Sequence, residues 1–243
     1  MYQTAAQFAD TMPDARRLLS DEPEMESSLH SAQLMLLVAC LDWLWRDRDD
    51  YFIGANLTIY FSRQQLKNRD FRGPDFFLVK DVDNSPRPSW VVWEEDGQYP
   101  NLIIELLSDS TAKVDRNLKK QLYQDRFRTP EYFWFSPDSL EFEGYRLAGH
   151  HYEPIPLTRE GKRWSEELEL FLGVENYQLR YFTPDGLLVP TPKEAALEAQ
   201  QEVIQAQQEA YLEQQRAESE KQRADRLVAY LRSQGIDPDR LPG

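Results

Sequence analysis

The sequence predicts an α/β protein: a mixed central sheet flanked by helices, with one long coiled-coil-like helix appended toward the C-terminal end. Three observations carry this. Residues 102 to 135 run in the order strand, helix, strand; short alternating segments separated by Gly and Pro follow to residue 182; and residues 193 to 232 contain neither Pro nor Gly. The first order implies a parallel pairing with a crossover, the second an antiparallel meander, the third a continuous helix of roughly 60 Å.

A chain of 243 residues holds one sizeable domain and an appendage. The expected division is an N-terminal arm over 1–27, a domain over 28–190 and the long helix over 191–243. No apolar run reaches the roughly 18 residues that span a bilayer, since Leu34 to Leu44 is interrupted by Asp42. Asp10, Asp14, Asp21 and Glu22 stand where an export signal would be apolar, so a cytoplasmic protein without membrane association is expected. The single cysteine, Cys40, lies between Leu37 and Leu41 and reads as a small packing residue, which leaves no disulfide and no structural zinc.

The first 25 or so residues mix Pro, Asp and Glu without periodicity and read as an extended arm. From Ser28 to Arg46 the positions Leu29, Leu34, Leu37, Val38, Leu41 and Trp45 recur at helical spacing, with Ser27 or Ser28 as N-cap. Tyr51 to Phe61 is rich in β-branched and aromatic residues and reads as one strand. Pro74 opens a second strand, Asp75 to Val79, and Ser89 to Trp93 forms a third before a turn at Asp96-Gly97. Leu102 to Leu107 then looks like a strand buried on both faces. Val114, Leu118, Leu122 and Tyr123 set the helix that follows, and Glu131 to Phe135 the returning strand. Segments at Leu140 to Leu147, Tyr152 to Pro156, Leu168 to Phe171 and Tyr177 to Phe182 complete the meander. In the terminal helix Ala196, Val203, Ala210, Ala217, Ala224 and Leu231 recur every seven residues, with Leu197, Ile204 and Tyr211 beside them, and Gly235 ends it.

Within this pattern Glu105 is the anomaly. A carboxylate in a doubly buried strand must be paired, metal-bound or protonated, because an uncompensated buried charge is strongly destabilising. Asp75 follows Gly73-Pro74 on a neighbouring strand, and Lys119 lies on the next helix. Two carboxylates and an ammonium gathered at a sheet edge can hold a divalent cation and ready a water for attack on a phosphodiester. A structural reading stands beside it, with Asp75 capping a strand and Glu105 paired to Lys119 or Arg116. The net charge of −14 opposes wholesale binding of nucleic acid. Yet Arg63, Lys67, Arg69 and Arg72 precede Asp75, and Lys113, Arg116, Lys119, Lys120, Arg126 and Arg128 follow Glu105. Glu26 and His30 are further candidates from the first helix, and Tyr123 reads as a packing residue with its hydroxyl near the cleft. His150 and His151 look like a hairpin tip, and no glycine-rich phosphate loop is present.

Arg72-Gly73-Pro74-Asp75, the run Leu102 to Thr111 around Glu105, Asp115-Arg116, Lys119, Tyr123 and Pro130-Glu131-Tyr132 together resemble the Uma2 (DUF820) family of the restriction-endonuclease-like PD-(D/E)-X-K superfamily. The likeness covers about residues 28 to 190, and the charged terminal helix resembles that of cyanobacterial members. The resemblance implies a restriction-endonuclease-like sheet and a Mg²⁺-dependent endonuclease acting on nucleic acid, DNA foremost, with Mn²⁺ as a substitute ion. It assigns the metal to Asp75, Glu105 and the main-chain carbonyl of Leu106, with Lys119 assisting catalysis. The usual motif has lysine two residues after the glutamate; here that position is Leu107, and the role passes to Lys119. Two alternatives stay open: a catalytically silent nucleic-acid-binding or assembly module, and a scaffold whose working part is the heptad helix. A homo-oligomer, most simply a dimer, is expected through that helix and would suit cutting of both strands by two identical centres, although an alanine seam could equally be self-packed or bind another protein.

Overall fold

The structure is a computed structural model that describes residues 18–23, 25, 27–62, 65, 73–107 and 118–235. The chain divides into two compact units, Met1–Thr191 and Pro192–Gly243.

In the first unit a mixed sheet has the order β1-β3-β5-β6-β7-β8. Its strands are β1 (Tyr51–Ala55), β3 (Phe76–Lys80), β5 (Leu102–Leu106), β6 (Glu131–Phe135), β7 (Phe142–Ala148) and β8 (His151–Pro154). Only β5 and β6 run parallel, with Leu102 opposite Glu131 and Leu106 opposite Phe135; the remaining neighbours are antiparallel. Two short strands, β2 (Ile59–Tyr60) and β4 (Trp90–Val91), pair in parallel apart from this sheet. A separate antiparallel sheet consists of β9 (Lys162–Ser165), β10 (Leu170–Glu175) and β11 (Gln178–Phe182).

Because side chains alternate along a strand, the central strands feed two apolar layers. Phe76, Leu78, Ile104, Leu106, Phe133 and Phe135 face one, together with Leu34, Leu37 and Leu41 of α1 (Ser28–Leu44) and with Leu172 and Tyr181. Phe77, Val79, Ile103, Leu107, Tyr132 and Trp134 face the other, with Phe52, Trp90, Tyr123 and Phe127. Ser27 caps α1, its hydroxyl accepting from the His30 N–H. Gln33 fastens α1 to β11 by bonding both the N–H and the C=O of Leu179 at 3.0 Å. Cys40 is buried in the α1 layer.

The described part of α2 covers residues 118–122 and continues as one π-helical turn, Tyr123–Phe127, which ends at Arg128 in the left-handed region (φ 55°). It lies in sequence between the parallel strands β5 and β6, the crossover position that their pairing requires. The second unit is dominated by α3 (Pro192–Ser233), followed by Gly235 at φ 77°.

Several segments depart from the sequence reading. Tyr51 to Phe61 is not one strand: Asn56, at φ 47°, turns the chain out of the sheet, and its N–H bonds the Asp75 carbonyl at 2.7 Å. Ser89 to Trp93 keeps strand geometry only at Trp90–Val91, because residues 92–97 coil into turns that use positive φ at Asp96 and Gly97. Strand β9 was not foreseen, and β10 starts at Leu170 instead of Leu168 since residues 166–169 form a turn with Glu169 at φ 56°. Leu118, read as part of the apolar face of α2, is 64% exposed; that face is carried by Tyr123 and Phe127. The expected arm lies largely outside the described residues, but 18–23 run against the domain, with Ser20 N–H on the Pro88 carbonyl and Asp21 N–H on Thr58 Oγ1.

Candidate active site

Register brings the two acidic residues together. Antiparallel β3 and β5 pair Phe76 with Ile104, so the next residues, Asp75 and Glu105, stand opposite one another. Opposite residues of an antiparallel pair share a face, here the face of Phe77, Ile103 and Tyr123. Pro74 has no N–H to extend the ladder. Instead the Leu106 N–H donates to Asp75 Oδ2 at 2.7 Å. The N–H and C=O of one strand residue point to the same edge, so the Leu106 carbonyl is directed to the Asp75 side as well.

Gly73 and Glu22 hold the Asp75 turn. The Glu22 carboxylate accepts from the Gly73 N–H at 2.5 Å and from the Thr58 hydroxyl at 2.7 Å. A Cβ on Gly73 would lie 2.3 Å from the Leu57 carbonyl oxygen, so the backbone approach excludes any side chain here. Glu22 escaped the sequence reading because it sits in a stretch with no periodicity.

Glu105 is 1% exposed, and both of its oxygens are engaged from α2. Lys119 Nζ donates to Oε2 at 2.9 Å, and the Tyr123 hydroxyl donates to Oε1 at 2.6 Å. Lys119 and Tyr123 are four residues apart and therefore share a helix face. Tyr123, expected to pack with its hydroxyl near the cleft, packs against Phe127 and Tyr132 and supplies this hydrogen bond. An i, i+4 spacing from Lys119 was the signal that could have found it. The π-turn beginning at Tyr123 is a rare insertion that recurs at functional sites.

The electrostatics follow from burial. Asp75 is pushed up to about 8, first by its removal from water and then by the Glu105 carboxylate against it, with the Lys119 charge and the Leu106 N–H pulling the other way. Burial and the same carboxylate push the Tyr123 phenol well above its ordinary value, so it remains a donor. Glu131, equally buried on β6, offers a contrast. It is surrounded by donors: Arg146 Nε and Nη2 at 3.1 and 2.9 Å, the Ser165 hydroxyl, and the Glu166 N–H at 2.9 Å. Glu131 is a paired structural acid, whereas Asp75 and Glu105 are two carboxyls pressed together.

The structure thus gathers Asp75, Glu105, Leu106 and Lys119. His30 is buried on α1 with Nδ1 against the Ser27 hydroxyl at 2.8 Å, and among the described residues no hydrogen bond links it to Asp75 or Glu105. Glu26, Arg63, Lys67, Arg69, Arg72, Lys113 and Arg116 lie outside the described residues. Of the remaining cations, Lys120 caps the Tyr145 ring at 3.3 Å, Arg126 covers Phe61 at 4.4 Å, and Arg128 bonds His150 Nδ1 at 3.0 Å on the β7–β8 hairpin. A divalent ion fits the donor chemistry: two carboxyl groups and a carbonyl are the hard oxygen ligands that Mg²⁺ takes alongside water, and a cation there would offset the burial and the Glu105 charge that disfavour ionised Asp75.

The family model "Uma2: Putative restriction endonuclease" matches residues 19–180. Among solved structures, one described as a "putative nuclease belonging to DUF820" from Anabaena variabilis ATCC 29413 aligns at 16% identity and a TM-score of 0.41, covering 55% of this chain and 70% of its own. No curated protein matches.

Proposed function

The chain belongs to the Uma2 family, and from this premise we propose that it is a metal-dependent endonuclease that hydrolyses phosphodiester bonds of DNA. The observation that carries the reading is the confrontation of two buried carboxyls, Asp75 and Glu105, beside the Lys119 ammonium. Asp75, Glu105 and the Leu106 carbonyl would hold Mg²⁺ or Mn²⁺, which when bound supplies a water of lowered pKa and positive charge near the scissile phosphate.

This chain's own residues do the rest. Asp75 is fixed by the Leu106 N–H and by the Gly73 turn, so its carboxyl waits in place. Tyr123 holds one oxygen of Glu105 and so restricts the side chain to one orientation. Lys119 holds its ammonium 2.9 Å from Glu105 Oε2, and its side chain is 20% exposed. From there its ammonium can orient an attacking water or bind an oxygen of the phosphate as charge builds there. Burial around Tyr123, Tyr132 and Trp134 lowers the local dielectric and strengthens each of these contacts.

Nicking of supercoiled plasmid with Mg²⁺ or Mn²⁺ tests the proposal. It should occur with the wild-type chain and vanish with Asp75→Ala. Failure to cleave duplex DNA, single-stranded DNA and RNA alike under both ions would remove it. One observation favours a second reading, a silent nucleic-acid-binding module: both Glu105 oxygens are held by side chains of α2, Lys119 and Tyr123, as in a structural ion pair. That module would bind nucleic acid in a salt-sensitive manner with no turnover.

A further inference from the structure

Helix α3 spans 42 residues, none of them buried. Leu197, Val203, Ile204, Tyr211 and Leu227 are each between 47% and 61% exposed. A helix of this length with a sustained seven-residue apolar repeat ordinarily buries that stripe against another helix. Taking Ala196, Val203, Ala210, Ala217, Ala224 and Leu231 as the a positions of a heptad abcdefg, the d positions include Ala199, Ala206 and Leu227. Glu213 and Glu220 occupy the two central d positions, so the seam is shallow and weak in its middle.

The flanking charges specify the partner. The g positions read Glu202, Glu209, Arg216, Arg223: two acids, then two bases. The e positions read Gln200, Gln207, Gln214, Lys221. In a parallel pair each g residue faces the e residue of the following heptad. That arrangement sets Glu202 and Glu209 against glutamines and Arg216 against Lys221, which with two-fold symmetry gives no ion pair and two repulsions. In an antiparallel pair g residues face g residues. Glu202 then meets Arg223, and Glu209 meets Arg216, and two-fold symmetry repeats both, making four complementary contacts between identical helices. Glu202, Glu209, Arg216 and Arg223 are all exposed, and Glu209 also accepts from Gln205 Nε2 at 2.9 Å on its own helix.

We propose that α3 is a self-recognition element that pairs with α3 of a second copy in antiparallel orientation, through the Ala-rich a/d seam, with register set by Glu202–Arg223 and Glu209–Arg216 contacts between copies. This does not depend on the nuclease reading. The shallow seam makes the association weak, and salt weakens it further because the charged flanks are exposed.

Spin labels on the full chain test the orientation, since the one native cysteine, Cys40, is buried. Cysteines placed at Gln201→Cys and, separately, Gln215→Cys lie on the outer f face. Antiparallel pairing predicts a dimer whose 201–201 separation is long, about 35 Å, and whose 215–215 separation is short, about 15 to 20 Å, from the 1.5 Å rise per residue. Equal short distances at both positions would mean parallel pairing and overturn the proposal; a monomer at about 100 μM in low salt would also overturn it. Charge reversal supplies a second reading. The double variant Glu202→Arg/Glu209→Arg should weaken dimerisation by about tenfold or more, and adding Arg216→Glu/Arg223→Glu should restore it. An unchanged dimer in the double variant contradicts the proposed contacts.

Discussion

The Tyr123 hydroxyl donates to Glu105 Oε1 at 2.6 Å from the first residue of a π-helical turn, one helical turn beyond the Lys119 ammonium on Oε2. Tyr123→Phe deletes that donor and leaves a buried carboxylate short of one partner, at a cost of about 1 to 3 kcal/mol. Urea denaturation should show that loss. Nicking should slow by about tenfold or more, because Glu105 is freed to rotate. Full wild-type rate in Tyr123→Phe would assign the residue to packing alone.

Asp75 gives a pH signature with a defined sign. Its folded-state pKa, about 8, lies above the ordinary carboxylate value of 3.8. The native state therefore binds more protons than the unfolded chain between those limits, and the Asp75 contribution to stability is present below pH 4 and lost as pH rises through 8. Asp75→Asn cannot ionise and should lose this slope. The denaturation midpoint of the variant relative to wild type should rise from pH 4 to pH 8; a difference that stays flat would show that Asp75 titrates normally.

Lys119 is the ammonium against an acid that is 1% exposed. Lys119→Met leaves Glu105 uncompensated and should destabilise by on the order of 3 kcal/mol, whereas Lys119→Met with Glu105→Gln removes both charges and should recover most of it. Neither variant should cleave DNA. Recovery of stability without recovery of activity separates the structural from the chemical use of the pair.

Gly73 tests the turn that carries Asp75. Gly73→Ala would drive a methyl to 2.3 Å from the Leu57 carbonyl oxygen, a backbone atom that has to shift. A stability loss of about 1 to 3 kcal/mol is expected, as for other overpacked sites, with a larger drop in nicking than the residual folded fraction explains. Wild-type behaviour would mean that the turn is free to relax.

How far the sequence could be read follows from these same residues. Glu105 stood out because one charge in the run Leu102 to Leu107 breaks an otherwise apolar pattern, and the strand-helix-strand order around it gave the parallel β5–β6 pair. Asp75 was legible through Pro74, which ends a ladder for a reason that needs no neighbours. What stayed hidden depends on tertiary contact. Tyr123 has the same side chain whether it packs or donates, and a π-turn has no periodic signature. Glu22 acts through Gly73, some fifty residues away in sequence, from an arm that looks featureless. Asn56 and Glu169 broke expected strands by adopting positive φ, a choice open to many polar residues and fixed here by context. Membership of the Uma2 family, in contrast, rested on the order of several short motifs, each weak alone, and the family match over residues 19–180 agrees with it.

The most direct measurement is anomalous scattering from crystals of the full chain soaked in Mn²⁺. The account predicts a peak about 2 Å from carboxylate oxygens of both Asp75 and Glu105, with the Leu106 carbonyl as a further ligand, and its loss in Asp75→Asn. No peak between those two residues at millimolar Mn²⁺, or one equally strong in the variant, would contradict it.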